Sequence, residues 1–132
     1  MIEEAFVSFD NAKLLKEKGF NEICSAFYNY KGQLMNVDGF NCQPLSNSNT
    51  KADVYMAPTH QLVLRWLREV YHLHIYAFYS EIKTSPSNWC YEVERIDGNW
   101  TFSIRRGKTY EECIEEAINY TIKNLLNNNS TI

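Results

Sequence analysis

Two periods of apolar and polar residues run along this chain, and the change from one to the other is sharpest in residues 57–80, APTHQLVLRWLREVYHLHIYAFYS. Pro58 suits a helix entry and Thr59 a cap. From His60 to Tyr71 the apolar positions Leu62, Val63, Trp66, Leu67 and Val70 follow the i, i+3, i+4, i+7 template of one helical face, with Gln61, Arg65, Arg68 and His72 on the opposite stripe. Arg65 and Glu69 sit one turn apart, an exposed pair worth about 0.3 kcal/mol. From Leu73 the period drops to two: Leu73, Ile75, Ala77 and Tyr79 lie on one side, and His74, Tyr76 and Phe78 on the other. A strand apolar on both faces predicts a central place in a sheet.

The rest of the chain divides by the same criteria. Ser8 or Asp10 caps a short helix that runs to about Lys18 and stops at Gly19, with Ala12, Leu14 and Leu15 apolar and Phe20 packing back. Alternation from Ile23, with a Lys31-Gly32 turn before residues 33–37, predicts a hairpin. Residues 38–53, DGFNCQPLSNSNTKAD, have no period and read as a mobile surface loop. Residues 54–57 run extended ahead of Pro58.

Residues 89–96 and 99–106 form the clearest hairpin, because Asp97-Gly98 is a type I′ signal. A two-residue turn sets Val93 opposite Phe102, Tyr91 opposite Ile104, Arg95 opposite Trp100, and Glu92 and Glu94 opposite Ser103 and Thr101. Trp89, Tyr91, Val93, Trp100, Phe102 and Ile104 then make the core side, and a slip of one residue would scramble both faces. Thr109 and Glu112 form a capping box for a last helix over residues 110–126, with a wide apolar stripe that includes Cys113, Ile114, Ala117, Ile118, Thr121 and Ile122. The order α-β-β-α-β-β-β-α predicts an α+β domain spanning residues 1–132, with a mainly antiparallel sheet of about five strands, helices packed on one face and a frayed tail from about residue 127.

Composition narrows the class. At 132 residues the chain is long enough to bury a core of its own. Its 45% apolar and 14% aromatic content excludes a disordered chain. A net charge of -3 and a pI near 5.6 argue against wholesale attraction to nucleic acid or anionic membrane and leave room only for a local basic patch. No apolar run approaches the roughly 20 residues that span a bilayer. The opening MIEEAFVSFD lacks a basic leader and an apolar core, so cytoplasm is the expected compartment. Cys24, Cys42, Cys90 and Cys113 are irregularly spaced without C-x-x-C, and are read as reduced, mostly buried thiols.

Three blocks carry a resemblance: AKLLKEKGF at residues 12–20, APTHQLVLRWLRE at 57–69 and TYEECIEEAINYTIKNLL at 109–126. In that order and spacing they resemble a family of small uncharacterised proteins of gut Bacteroidetes and their phages, prophages and mobile elements. The resemblance spans nearly the whole chain. It implies a genomic setting, and it brings no catalytic residues with it.

Candidate chemistry is sparse. His72 and His74 form H-x-H, which on a strand could turn both rings toward a metal with Cys24 or Cys90, but no spacing matches a structural zinc site, and His72 fits the helix end, where it can bond to terminal carbonyls. The expectation is no metal and no cofactor. A nucleophile paired with a His base has no G-x-S-x-G context, and a phosphate-cradling glycine motif is absent. Glu111/Glu112 and Glu115/Glu116 read as a solvated helix start. The best binding candidates are the basic residues Arg65, Arg68, His72, Arg105 and Arg106, with Lys108 nearby in sequence. Trp66, Trp89 and Trp100 could stack bases if exposed, yet their phase puts them on apolar faces. The leading expectation is a small non-enzymatic accessory protein that contacts a host or element-encoded protein or itself. The alternatives are a nucleic-acid-binding module using the Arg65/Arg68 stripe and, last, an enzyme of unknown class, which would need a concave pocket with perturbed titratable groups.

Overall fold

The computed structural model describes residues 2–37, 45–81, 88–98, 101–105 and 107–126, with the main chain alone at Ile104 and Arg105. The protein is α+β, and the described residues form three helices and six strands. Instead of one sheet of about five strands, these strands make two three-stranded antiparallel sheets. The chain divides into two compact units, Met1–His60 and Gln61–Ile132.

In the first unit, α1 (Phe9–Glu17) starts where the Ser8 hydroxyl accepts the Asn11 N–H. It stops at Gly19, whose φ of 89° is the left-handed geometry that ends helices. The Phe20 N–H then bonds back to the Leu15 carbonyl, and the Phe20 ring is buried. Strands β1 (Ala26–Tyr28) and β2 (Leu34–Asn36) form the expected hairpin. Its turn is built by Asn29, whose side-chain oxygen accepts the N–H groups of Lys31 and Gln33, while Gly32 takes a φ of 79°. The extended segment before Pro58 becomes β3 (Tyr55–Met56), which pairs with β1 on the side away from β2. Phe9 of α1 sets its ring edge-on to Tyr28 and Tyr55.

Of the loop expected at residues 38–53, residues 38–44, Cys42 among them, lie outside the described residues. From Leu45 onward the chain is tied down. Cys24 and Leu45 form a β-bridge, a 3-10 turn covers Asn47–Asn49, and Asn47 is buried. The Asn47 amide donates to the Phe20 carbonyl at 2.8 Å and accepts the Met56 N–H at 3.0 Å, joining the end of α1 to β3. Lys16 donates to the carbonyls of Lys51 and Val54, both at 2.7 Å. A segment without hydrophobic period thus bonds to the rest of its unit through polar side chains, which a periodicity argument does not weigh.

α2 (His60–Tyr71) begins on the last residue of the first unit and in the second runs straight into β4 (Leu73–Tyr79), followed by β5 (Trp89–Arg95), β6 (Thr101–Arg105) and α3 (Tyr110–Asn124). His60, Val63, Leu64, Trp66 and Leu67 are buried on α2, whereas Leu62 is half-buried and Val70 is 53% exposed. The buried stripe counts from His60 rather than Leu62, so Leu64 takes the place expected for Val70. The hairpin register is as read, with Val93 opposite Phe102, Tyr91 opposite Ile104, Glu92 opposite Ser103 and Glu94 opposite Thr101. Gly98 lacks the positive φ of a type I′ turn. Trp100 lies outside the described residues. Thr109 caps α3 by accepting the Glu112 N–H, while the Glu112 carboxylate accepts the Lys108 N–H. α3 packs on β4 and β5 and buries Ile114, Ala117 and Ile118, while Leu73, Ile75, Tyr91 and Val93 are buried on the strands.

One placement reverses the sequence reading. The strand order is β4-β5-β6, so among the described residues β5 is central and β4 is an edge. Its two apolar sides have different fates: Leu73 and Ile75 are buried, but Tyr76 and Phe78 are each 37% exposed.

Candidate functional site

The face of the second sheet opposite those buried residues is organised by the period of two. It presents His74, Tyr76 and Phe78 from β4, Glu92 and Glu94 from β5, and Thr101 and Ser103 from β6, with His74 beside Glu94 and Tyr76 beside Glu92. The three rings form a ladder: His74 stacks on Tyr76 at 5.4 Å between centroids and Tyr76 follows Phe78 at 6.2 Å. The Tyr76 hydroxyl donates to the Glu92 carboxylate, and this bond to a nearby anion pushes the phenol up to about 12. Glu94, Thr101 and Ser103 are exposed, and Glu92 is half-buried. An aromatic row thus lies along an acidic row on an open surface.

The basic candidates Arg65 and Arg68 stand on α2 and are not part of this face. Arg65 is exposed and holds Glu69 at 2.7 Å, so its charge is matched on its own helix. Arg68 is half-buried on the same helix. His72 ends α2: its N–H closes the last turn on the Arg68 carbonyl, and its φ of 59° turns the chain into β4. His72 thus belongs to the helix end, as expected, and His74 alone of the two stands on β4. Arg105 holds the same alternation phase on β6 as Thr101 and Ser103, opposite Cys90 and level with Phe78, about 20 Å from His72 along the strands. Arg106 lies outside the described residues. Lys108 is exposed at the start of α3.

Chemistry is equally sparse elsewhere. Cys24, Cys90 and Cys113 are free and buried. Burial, with Glu22 nearby, raises the Cys24 thiol to about 12, and burial, with Cys90 nearby, raises Cys113 to about 11. A thiol needs its thiolate form to attack, so neither serves as a nucleophile near neutral pH. Among the described residues no three His, Cys, Asp or Glu side chains gather as metal ligands, and no helix is long and apolar enough to cross a membrane. The first unit has a cleft of about 390 Å³ between Phe27, Tyr30, Leu45 and Val54. Of its polar lining, Asn29, Asn49 and Thr50 are engaged in bonds within their own turns.

No family model, curated protein or solved structure matches the chain. The signal for the open face was present in the sequence, since alternation puts His74, Tyr76 and Phe78 on one side of β4 and both glutamates on the polar side of the hairpin. Their apolar character pointed instead to a covered strand.

Proposed function

We propose that this is a non-enzymatic accessory protein of a phage or mobile element of gut Bacteroidetes, acting in the cytoplasm through contacts with a host or element-encoded protein or with itself. The supporting observation is the open face of the second sheet, where Tyr76 and Phe78 are exposed beside Glu92 and Glu94. Such a surface suits a polypeptide segment rich in lysine or arginine: a guanidinium or ammonium attracted to the ring faces also meets the carboxylates. Nucleic acid ranks below this, because the same glutamates repel phosphate where the aromatics would stack bases and Arg65 is paired with Glu69.

Fluorescence anisotropy with a labelled Lys/Arg-rich peptide and a neutral control tests the reading. Salt-sensitive binding that falls at least tenfold in Glu92→Lys/Glu94→Lys supports it. Equal affinity for both peptides in wild type and variant, or no binding at about 100 μM together with a monomer in light scattering, would overturn it.

A further inference from the structure

We propose that two copies of the chain pair edge to edge along β4, antiparallel and centred on Tyr76. This deepens the protein-contact reading and rests on it, by naming a second copy as the partner of one strand.

The backbone phase of β4 decides which groups face outward. The Ile96 N–H bonds to the His72 carbonyl and the Ser80 N–H to the Asn88 carbonyl, so the residues that exchange hydrogen bonds with β5 are the even-numbered ones. Leu73, Ile75, Ala77 and Tyr79 therefore turn their N–H and C=O groups toward the outer edge. Among the described residues β5 is the only strand neighbour of β4.

The composition of β4 leaves that edge unprotected. An exposed edge is ordinarily protected by a charge, a proline, a bulge or short length. β4 is seven residues long, LHIYAFY, and has no Lys, Arg, Asp, Glu, Pro or Gly. Bringing two such strands together sets no formal charge against its like.

The strand is also self-complementary in register. An antiparallel pair centred on Tyr76 sets Leu73 opposite the second copy's Tyr79, and Ile75 opposite its Ala77. All four outward-facing residues then fall in hydrogen-bonded positions. Centring on Ile75 or Ala77 would leave one of them beyond the end of the partner strand. With Tyr76 on the axis, the two Tyr76 residues meet in a non-hydrogen-bonded pair, where side chains approach most closely. His74 lies opposite Phe78, so the aromatic ladder of one copy continues into that of the other, and cross-strand aromatic pairs are among the favourable ones.

The close approach on the axis gives a direct test. In a non-hydrogen-bonded pair the Cα atoms are about 4.5 Å apart, within the range that a disulfide bridges. Tyr76→Cys in the full chain, oxidised with copper phenanthroline and run on non-reducing gels, is expected to give at least fivefold more crosslinked dimer than wild type, His74→Cys or Phe78→Cys. Wild-type protein is expected to show a concentration-dependent dimer in sedimentation velocity. Ala77→Pro, which removes an outward N–H and leaves the β5 ladder intact, should shift that dimer toward monomer at least tenfold. A wild-type monomer up to about 200 μM, or a dimer whose crosslinking does not favour position 76, overturns the pairing. Peptide binding measured on the same wild-type sample separates the two readings: a monomer that still binds the basic peptide loses the pairing and keeps the proposed function.

Discussion

Single polar side chains decide more of this fold than their small share of the core suggests. Asn47 is buried and bonds to the main chain of Phe20 and Met56. Asn47→Ala leaves a buried carbonyl and a buried N–H unpaired, and should lower the unfolding free energy in urea by about 2–4 kcal/mol. Thr121 is the reverse case: its side chain is fully buried and, among the described residues, its hydroxyl has no hydrogen-bond partner. Thr121→Val keeps the shape and removes the desolvated hydroxyl, so the same titration should show a gain of about 1 kcal/mol. The thiols give a pH dependence. Cys24 and Cys113 rise from an ordinary 9.0 to about 12 and about 11, so the folded chain favours their protonated forms. The stability they contribute is fully present below pH 9 and is lost as pH climbs toward those raised values. Urea midpoints should therefore fall between pH 9 and 11, and the slope should flatten in Cys24→Ala/Cys113→Ala.

At the scale of elements, periodicity and caps carried the reading a long way. Ser8, Gly19, Thr109 and the strand alternation of the β5–β6 hairpin locate helix ends and register because each acts through a local, stereochemical rule. What local rules do not carry is which strands share a sheet. The apolar pattern of β4 is common to a central strand and to an edge with an aromatic outer face, so its position could not be read from period alone. The same holds for α2, whose buried stripe starts at His60 instead of Leu62. Arg65, Arg68 and His72 were chosen by helical phase, and the Arg65–Glu69 bond visible in that phase accounts for one of them. The junction between α2 and β4 makes its own prediction. His72 holds a left-handed φ of 59°, a geometry that costs a β-branched residue more than histidine and costs glycine nothing. Thermal melts should place His72→Gly near wild type and His72→Val lower, by about 1–2 kcal/mol.

For the molecule as a whole, a net charge of -3 and the glutamate row beside the strand aromatics set the long-range field against polyanions. Gel-shift titrations with single- and double-stranded DNA at about 50 mM salt should show no retention up to micromolar protein, and Arg65→Ala/Arg68→Ala should not change that. The packing of α3 on β4 and β5 has a further consequence during synthesis. The helix that covers these strands follows all of them in the chain, so Leu73, Ile75, Tyr91 and Val93 leave the ribosome before their cover does. At ordinary translation rates that interval lasts on the order of a few seconds, long enough for the uncharged β4 strand to meet other nascent chains. Message cut short ahead of Tyr110 therefore yields insoluble product, and slowing expression by cooling or supplying a chaperone raises the soluble yield of the full chain.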